Sequence, residues 1–557
     1  MLASVAPAAA YSPMWGVDPQ RTHQSTLTGP TTAPTAANVT RLELGCELDV
    51  STPATIDAAG NLFFGTWGTI RSDGAVPTDP AAWTKFDGRL HGFGWDLAAP
   101  LWPPIEPGPV PLCYAYDGRE DGECPPGQHV NGLNGTVEGA PALGPDGVLY
   151  VGRGDGRLYA IDPVAGQVLW SFRTFNPLDP ADPEGGGQII MPPLVHDGVA
   201  YFATWAPSDL DNSAWETNAI YGVDIASQGA SYWRYPSAAP SLAGEPFVAA
   251  PVLSPDGGTV YFGSFDDFVD AATTIKHLYA FHTVPVTAPE SERVAFVRPT
   301  ADPARPSSTI LVQRLVAGGD GHLFLGGVRV DTNVPPGTPF TNPTPVVLRL
   351  TATGEPAWSA AVELPSQATD GRLVLGLSLR QASGVPQTLY AGQGNNSIDG
   401  GALNAITASI GAVAWRWRNL DHAMQGQVGD ATIGADGTLY FGVRGVPGLV
   451  GWIVALTAQG QERWRYVLSD AVDWSAPVIG REGSLVWGDR AVEDLPTTAL
   501  APDTCPFEAW RPHVYVMKKA SGCGTVAGAP AADGMADAVG VLVALALVTV
   551  RSRRSGV

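Results

Sequence analysis

The stretch 140–174 constrains the fold of this chain most strongly. It reads APALGPDGVLYVGRGDGRLYAIDPVAGQVLWSFRT, four short apolar runs each closed by a Gly, Asp or Pro turn signal. Alternating β-branched and aromatic residues between such turns predict strands joined by tight hairpins. One small sheet of four antiparallel strands cannot bury both of its faces alone. The stretch therefore predicts that the chain contains further copies of it.

Such copies are present along most of the chain. Tryptophans close five of them, at Trp170, Trp233, Trp358, Trp415 and Trp464. Besides 140–174, full or weaker copies begin near Pro53, Pro193, Pro251, Leu315, Leu375 and Ala435, and a half-copy of two strands covers 476–488.

The repeated pattern D-G-x-L-Y-x-G…G-x-L-Y-A-I-D…G-x-x-x-W resembles the pyrroloquinoline-quinone-type (PQQ-like) β-propeller repeat. That repeat is found in quinoprotein dehydrogenases and in the outer-membrane assembly lipoprotein B. The resemblance covers roughly residues 40–490 and is most specific in the second and seventh copies. It implies that each repeat is one blade, with the last-strand tryptophan packed between neighbouring blades. It indicates fold more than function, because propellers host many unrelated activities.

A ring of blades must close, and the chain ends suggest how. Residues 41–50 predict a lone strand before the first copy, while the final half-copy lacks its outer strands. Pairing the two would remove two sheet edges at once. We therefore predict an all-β, eight-bladed propeller of four-stranded antiparallel blades over 41–519, with seven blades as the alternative. Residues 13–40 precede it as a structural arm whose WGVDPQRT resembles an opening seen in many proteins with this repeat.

Cysteine usage and the chain ends predict an extracytoplasmic protein. Residues 1–12 end in small residues like those of a signal-peptide cleavage site, so we interpret them as a truncated signal peptide. Disulfides form in oxidising compartments. We predict a local Cys113–Cys124 bond and a Cys46–Cys505 bond that would lock the ring, with free buried thiols as the alternative.

The tail 520–557 predicts attachment to the cell envelope. Cys523 is followed by the apolar run 538–550, predicted to be a helix, and then by Arg551, Arg553 and Arg554. This order resembles the C-terminal sorting signal of myxobacterial surface proteins, which implies processing near Cys523 and display on the cell surface. A plain single-pass anchor is the alternative, and its basic end would stay on the cytoplasmic side.

The predicted connections are elaborated on one face of the ring. With the strands of a blade lettered A to D from the axis outward, the AB and CD turns are tight. The long connections join B to C or D to the next A, at 66–89, 100–136, 204–218, 264–276, 329–345, 395–400 and 443–450. Because the long connections are confined to one face of the ring, that face is the surface on which contacts with a ligand or partner can evolve.

These connections carry aromatic and acidic residues together, including Phe265, which we expect to be exposed. Such residues could contact a protein or a carbohydrate; the alternative is that they only pack and solubilise the loops. Calcium is the only metal that the acidic clusters suggest, although they lack the spacing of an EF-hand. The candidate ligand contacts are Trp67, Trp205, Asp209, Asp211, Trp215, Asp266 and Asp267.

Charge and motifs narrow the function classes. A net charge of −22 argues against nucleic-acid binding, which needs basic surface. The adjacent cysteines of quinoprotein dehydrogenases, a haem-attachment motif and common hydrolase motifs are all missing from the sequence. Arg153-Gly154-Asp155 is interpreted as a hairpin turn. We therefore expect a monomeric, envelope-anchored binding or scaffold protein without a cofactor. The alternative is an extracytoplasmic hydrolase or oxidoreductase that uses acidic residues on the elaborated face or in the central channel.

Overall fold

Eight small antiparallel sheets follow one another around a ring in the computed structural model, so the prediction of eight blades is confirmed. The structure describes residues 14–518 except 15, 36, 45–49, 51, 67–68, 71–85, 106–136, 175–186, 206–217, 238–241, 243–244, 266–274, 333–342, 366–372, 395–400, 419–427, 444–450, 469–475 and 490–512. The predicted C-terminal helix at 538–550 lies outside these residues.

The strands of each blade are given in the order A to D. Blade 1 has Thr55–Ile56, Leu62–Gly65 and Leu90–Phe93, and blade 2 has Ala142–Leu143, Leu149–Gly152, Arg157–Asp162 and Gln167–Arg173. Blade 3 has Leu194–His196, Val199–Ala203, Ile220–Asp224 and Tyr232–Tyr235, and blade 4 has Val252–Leu253, Thr259–Gly263, His277–His282 and Val294–Pro299.

The second half of the ring follows the same order. Blade 5 has Ser308–Ala317, Leu323–Asp331, Thr344–Leu350 and Val362–Glu363, and blade 6 has Leu373–Ala382, Val385–Gly394, Ala402–Thr407 and Ala412–Arg418. Blade 7 has Thr432–Ile433, Leu439–Val443, Trp452–Leu456 and Glu462–Val467, and blade 8 has Val478–Ile479, Leu485–Gly488, His513–Met517 and Val39–Glu43. A two-stranded hairpin of Thr69–Ile70 and Phe86–Asp87, a short helix at Glu290–Arg293 and a 3-10 turn at Arg481–Gly483 lie between strands.

The chain closes the ring by joining its two ends in blade 8. Strand Val39–Glu43 pairs antiparallel with His513–Met517, with Leu42 opposite Val514. The predicted role of the early strand is therefore confirmed. The third strand of this blade, His513–Met517, was not predicted. It lies far beyond Gly488 in sequence and its HVYVM lacks the Leu-Tyr-Ala signature.

In several blades an aromatic side chain from the outer strand, or from just before it, packs against the CD turn of the following blade. A Cβ added at Gly460 would lie 2.7 Å from the Trp415 ring, and the left-handed φ of +79° there also favours glycine. Trp358 occupies the same place against Gly411. The implied packing of tryptophans between blades is therefore confirmed. At the closure, where blade 8 takes its outer strand from the N-terminal end, Trp464 Nε1 donates instead to the Pro30 carbonyl at 3.1 Å.

Two of these tryptophans form a matched pair for measuring one interblade hydrogen bond. Trp415 Nε1 donates to the Ala458 carbonyl at 3.1 Å, whereas Trp358 Nε1 is buried and donates to no described residue. Trp415→Phe should therefore lower the free energy of unfolding by about 1 kcal/mol more than Trp358→Phe, since a typical buried hydrogen bond contributes that much. Urea unfolding of both variants measures the difference. Equal losses would show that the Trp415 bond adds nothing to ring stability.

Three details of the connections differ from prediction. Pro100 and Ile105 form bridges with Phe93 and Leu90, so the first residues of the predicted loop 100–136 occupy the outer position of blade 1. Trp102 is the docking tryptophan of that blade, with Nε1 donating to the Pro163 carbonyl at 2.9 Å. Phe265, predicted to be exposed, is buried against Leu311, Val328 and Val330 because this apolar pocket between blades 4 and 5 is filled by its ring. Blade 4 also has a longer CD connection, 283–293, that carries the short helix.

Candidate functional site

The two faces of the ring differ in their connections. Because antiparallel strands alternate in direction, the AB and CD connections share one face and the BC and DA connections share the other. The AB connection of blade 2 runs only from Leu143 to Leu149, whereas the BC connections of blades 3 and 8 run from Ala203 to Ile220 and from Gly488 to His513. Apart from the CD connection of blade 4, the long connections belong to the BC/DA face, as predicted.

The N-terminal arm runs along the inner strands of blades 4 to 7 on the AB/CD side of the ring. Its backbone carbonyls accept hydrogen bonds from inner-strand amides of four consecutive blades: Leu253 N–H donates to Pro19, Ala317 to Gln20, Leu379 to Thr22 and Ile433 to His23, at 2.8–3.0 Å. These donors lie at or near the AB ends of blades 4 to 7. The arm therefore lies at the AB/CD ends of these inner strands, on the side opposite the long connections.

Arg21 anchors the arm inside the ring. Its side chain is fully buried, and its guanidinium donates to the carbonyls of Pro251 at 3.3 Å and Pro193 at 3.2 Å. Burial lowers the pKa of Arg21 to about 9, with Asp18 opposing the shift, so the group stays charged at neutral pH. Burial also raises the pKa of Asp18, although the hydrogen bonds that Asp18 accepts from Thr22 act to lower it. Burial of Arg21 and its two hydrogen bonds thus fix the arm to blades 3 and 4.

A second buried group lies beside the arm. His23 Nε2 is 3.7 Å from Asp430 Oδ1, and Arg314 Nε is 3.6 Å from Asp430 Oδ2. Asp430 Oδ1 also accepts a hydrogen bond from the Leu377 amide at 2.7 Å. Burial lowers the pKa of His23 to about 4, although Asp430 opposes this, so His23 is neutral at pH 7. This group joins the arm to blades 5, 6 and 7.

On the BC/DA face, blade 4 presents a histidine held by a carboxylate. Glu245 precedes strand A, whereas Ser264 follows strand B and His277 begins strand C, so two connections, the one before strand A and the BC connection, bring their side chains together. His277 Nδ1 lies 3.0 Å from Glu245 Oε1, while Ser264 Oγ donates to Oε2 at 2.6 Å and Tyr279 OH donates to it at 2.8 Å. Burial by itself would raise the pKa of Glu245, but the hydrogen bonds from these three residues lower it overall.

The same tyrosine–carboxylate contact recurs in two other blades. Tyr515 OH donates to Asp489 at 2.8 Å in blade 8, and Tyr159 OH donates to Asp155 at 2.6 Å in blade 2. Asp155 also accepts from buried Arg153 at 3.1 Å within the hairpin between strands B and C, as expected of a turn. The recurring His-x-Tyr at 277–279 and 513–515 is visible in the sequence and could have identified these positions.

An arginine on the same face is fixed by two acids. Arg329 ends strand B of blade 5 and is buried. Its guanidinium donates to Asp302 Oδ2 at 2.8 Å and to Glu363 Oε1 at 2.5 Å. Arg305 also binds Glu363, at 3.0 Å. The network ties the connection between blades 4 and 5 to the outer strand of blade 5.

Among the predicted ligand contacts, only Trp205 lies in the part of the chain that the structure describes. It is half-buried, and its backbone exchanges hydrogen bonds of 2.8 and 2.9 Å with Gln188 at the BC/DA end of blade 3. The remaining predicted positions lie outside the described residues: Trp67, Asp209, Asp211, Trp215, Asp266, Asp267, Cys46, Cys113, Cys124, Cys505, Cys523, Arg551, Arg553 and Arg554. Within the described ranges, no three His, Cys, Asp or Glu side chains are grouped for metal binding, and no helix has the length and hydropathy to cross a membrane.

The lowered pKa of Glu245 predicts a pH-dependent contribution to stability. A carboxylate whose folded pKa lies below its unfolded value, about 4.3, stabilises the fold above that value and loses this contribution as pH falls through the folded pKa. The difference in unfolding free energy between the natural chain and Glu245→Gln should therefore shrink between pH 6 and pH 3. Urea unfolding across this range measures it, with exposed Glu482→Gln as control. A difference that stays constant or widens at low pH would contradict the prediction.

Comparison with known proteins supports the fold. A family model described as outer membrane protein assembly factor BamB matches residues 115–271. Among solved structures, quinohemoprotein alcohol dehydrogenase from Comamonas testosteroni is 14% identical to this chain with a TM-score of 0.52. The match covers 93% of this chain and 82% of the dehydrogenase chain. The quinohemoprotein alcohol dehydrogenase ADHIIG from Pseudomonas putida HK5 is 12% identical with a TM-score of 0.52. That match covers 94% of this chain and 82% of the ADHIIG chain. No curated protein matches the sequence.

At these identities the two dehydrogenases are evidence for the fold alone. The repeat pattern, the ring of four-stranded blades and the matched family model agree with one another. The chain is an eight-bladed β-propeller, and within it residues 115–271 are similar to the BamB family model.

Proposed function

We propose that this chain is a binding or scaffold protein of the cell envelope that recognises its partner through the BC/DA face. The observation that carries the proposal is the contrast between the two faces of the ring. The arm, through Pro19 to His23, is bound to inner strands at the AB/CD face. The long connections, which carry the predicted ligand contacts, belong to the opposite face.

Physical considerations support a recognition role for this face. Rigid strands present the connections, and binding residues are found disproportionately on loops positioned by a rigid scaffold. The clusters at Glu245 and Arg329 fix the bases of two such connections through several hydrogen bonds each. A ligand of this face would be a protein or a carbohydrate. Envelope attachment through 520–557 is part of the proposal and is supported by the order of Cys523, apolar run and arginines in the sequence.

Two exposed isoleucines allow a matched test of the face. Ile275 lies in the BC connection of blade 4 and is 48% exposed, while Ile410 lies in the CD turn of blade 6 and is 71% exposed. We would place the photo-crosslinking residue p-benzoylphenylalanine at each position in the full chain and irradiate whole cells. Adducts at position 275 and few or none at position 410 are expected. Equal labelling, or labelling from 410 alone, would refute the proposed face.

A further inference from the structure

The histidine of the Glu245 cluster presents one ring nitrogen to the outside. Its Nδ1 lies 3.0 and 3.2 Å from the two Glu245 oxygens, and no residue among those the structure describes hydrogen-bonds its Nε2. The side chain of His277 is 28% exposed and that of Glu245 only 12%. Because an ionised carboxylate can only accept, Nδ1 is the donor to Glu245, and in the neutral ring Nε2 is the nitrogen that has a free lone pair. The cluster therefore holds a fixed hydrogen-bond acceptor on the BC/DA face.

Blade 8 contains a similar arrangement in which the histidine is buried. His513 Nδ1 lies 3.3 Å from Asp489, and Tyr515 donates to that acid as Tyr279 does to Glu245. There, however, the histidine is 6% exposed and the acid is fully buried. Blade 4 differs by taking its acid from the preceding DA connection, while Ser264 occupies the strand-end position that Asp489 fills in blade 8. The exposed ring of His277 is thus specific to blade 4.

The surroundings of His277 select the chemistry of a ligand. The carboxylate behind the ring and the net charge of −22 disfavour anions. The half-buried ring of Tyr235 lies beside the cluster, 6.0 Å from Tyr279 between ring centres. A fixed acceptor next to an aromatic ring matches a molecule that has hydroxyl groups on its edge and an apolar face.

We propose that His277 and Glu245 form a carbohydrate-binding site, in which a hydroxyl of a neutral sugar donates a hydrogen bond to His277 Nε2. Glu245 is the positioning residue, since it fixes the ring and its tautomer through Nδ1, and Ser264 and Tyr279 hold the carboxylate in place. The inference rests on the proposed function, because it names the ligand class for the same face.

The first test measures the reactivity of Nε2 without any ligand. Diethylpyrocarbonate acylates neutral, accessible imidazole, and peptide mass spectrometry reads each histidine of the intact chain separately. His277 should react several-fold faster than exposed His282, and buried His513 should stay unmodified on the same timescale. Glu245→Gln should slow His277 several-fold, because the amide supports the ring less than a carboxylate. A rate at His277 as low as that of His513, or one unaffected by Glu245→Gln, would overturn the proposal.

The second test adds the ligand class. Cellohexaose, maltohexaose and laminarihexaose serve as neutral probes at millimolar concentration. At least one should protect His277 but not His282 from acylation, and His277→Leu should weaken its binding about tenfold through loss of one hydrogen bond. His282→Asn should bind unchanged. If none of the three protects His277, or if His277→Leu binds as well as the natural chain, the sugar site is wrong. The proposed face would still stand if position 275 crosslinks and position 410 does not.

Discussion

Replacing Arg21 with alanine should lower the free energy of unfolding by about 2–4 kcal/mol. The substitution would remove the donors to the buried carbonyls of Pro193 and Pro251, and each buried acceptor left without its donor costs about 1–3 kcal/mol. It would also open a cavity where blades 3 and 4 meet the arm, because the side chain is fully buried. Urea unfolding of the intact chain measures the loss.

Arg481→Ala is the matched control for this substitution, since that side chain is 59% exposed and should cost less than about 0.5 kcal/mol. A loss below about 1 kcal/mol for Arg21→Ala would mean that the arm is only loosely attached. The N-terminal arm would then contribute little to the free energy of unfolding, and the structural contrast between the two faces of the ring would be weaker.

The buried histidine of the arm should make the fold sensitive to mild acid. His23 has a pKa of about 4 in the folded chain, below its ordinary value of 6.5, because burial disfavours its charged form. As pH falls from 7 to 4, the unfolded chain binds a proton at this site and the folded chain does not, so stability declines across that window. The difference between the two pKa values corresponds to about 3 kcal/mol.

His23→Asn removes this titration, and asparagine tolerates the left-handed φ of +57° at the position. Between pH 7 and pH 4 the natural chain should lose about 3 kcal/mol more stability than the variant does. Exposed His282→Asn provides the control and should follow the natural chain. Parallel pH profiles for the natural chain and His23→Asn would show that the imidazole is not held neutral in the ring.

The features that the sequence predicted well are those encoded locally. In blade 2 every strand follows the last through a short turn, and the turn residues Asp146 and Gly147 mark the AB hairpin. The number of blades followed from the lone strand predicted at 41–50 and observed at Val39–Glu43, because pairing it with the last blade removes two sheet edges.

What the sequence did not reveal depends on contacts between distant residues. Strand His513–Met517 is separated from its neighbour Gly488 by a long connection, and its other partner lies at the opposite end of the chain. The arm was recognised only by its resemblance to an opening motif, and nothing near Arg21 in sequence shows that the side chain will be buried against Pro193 and Pro251. Glu245 and His277 lie on two separate connections of blade 4, although the repeated His-x-Tyr pointed to the histidine half of that site.

The measurement that tests the account most directly is hydrogen exchange at the inner-strand amides that meet the arm. In the intact chain the amides of Leu253, Ala317, Leu379 and Ile433 should be strongly protected, because each donates to an arm carbonyl. Replacing 16–24 with a glycine–serine segment of equal length should expose these four amides while the C-strand ladders of the same blades stay protected. Weak protection in the intact chain, or unchanged protection after the replacement, would show that the arm is not bound to the inner strands.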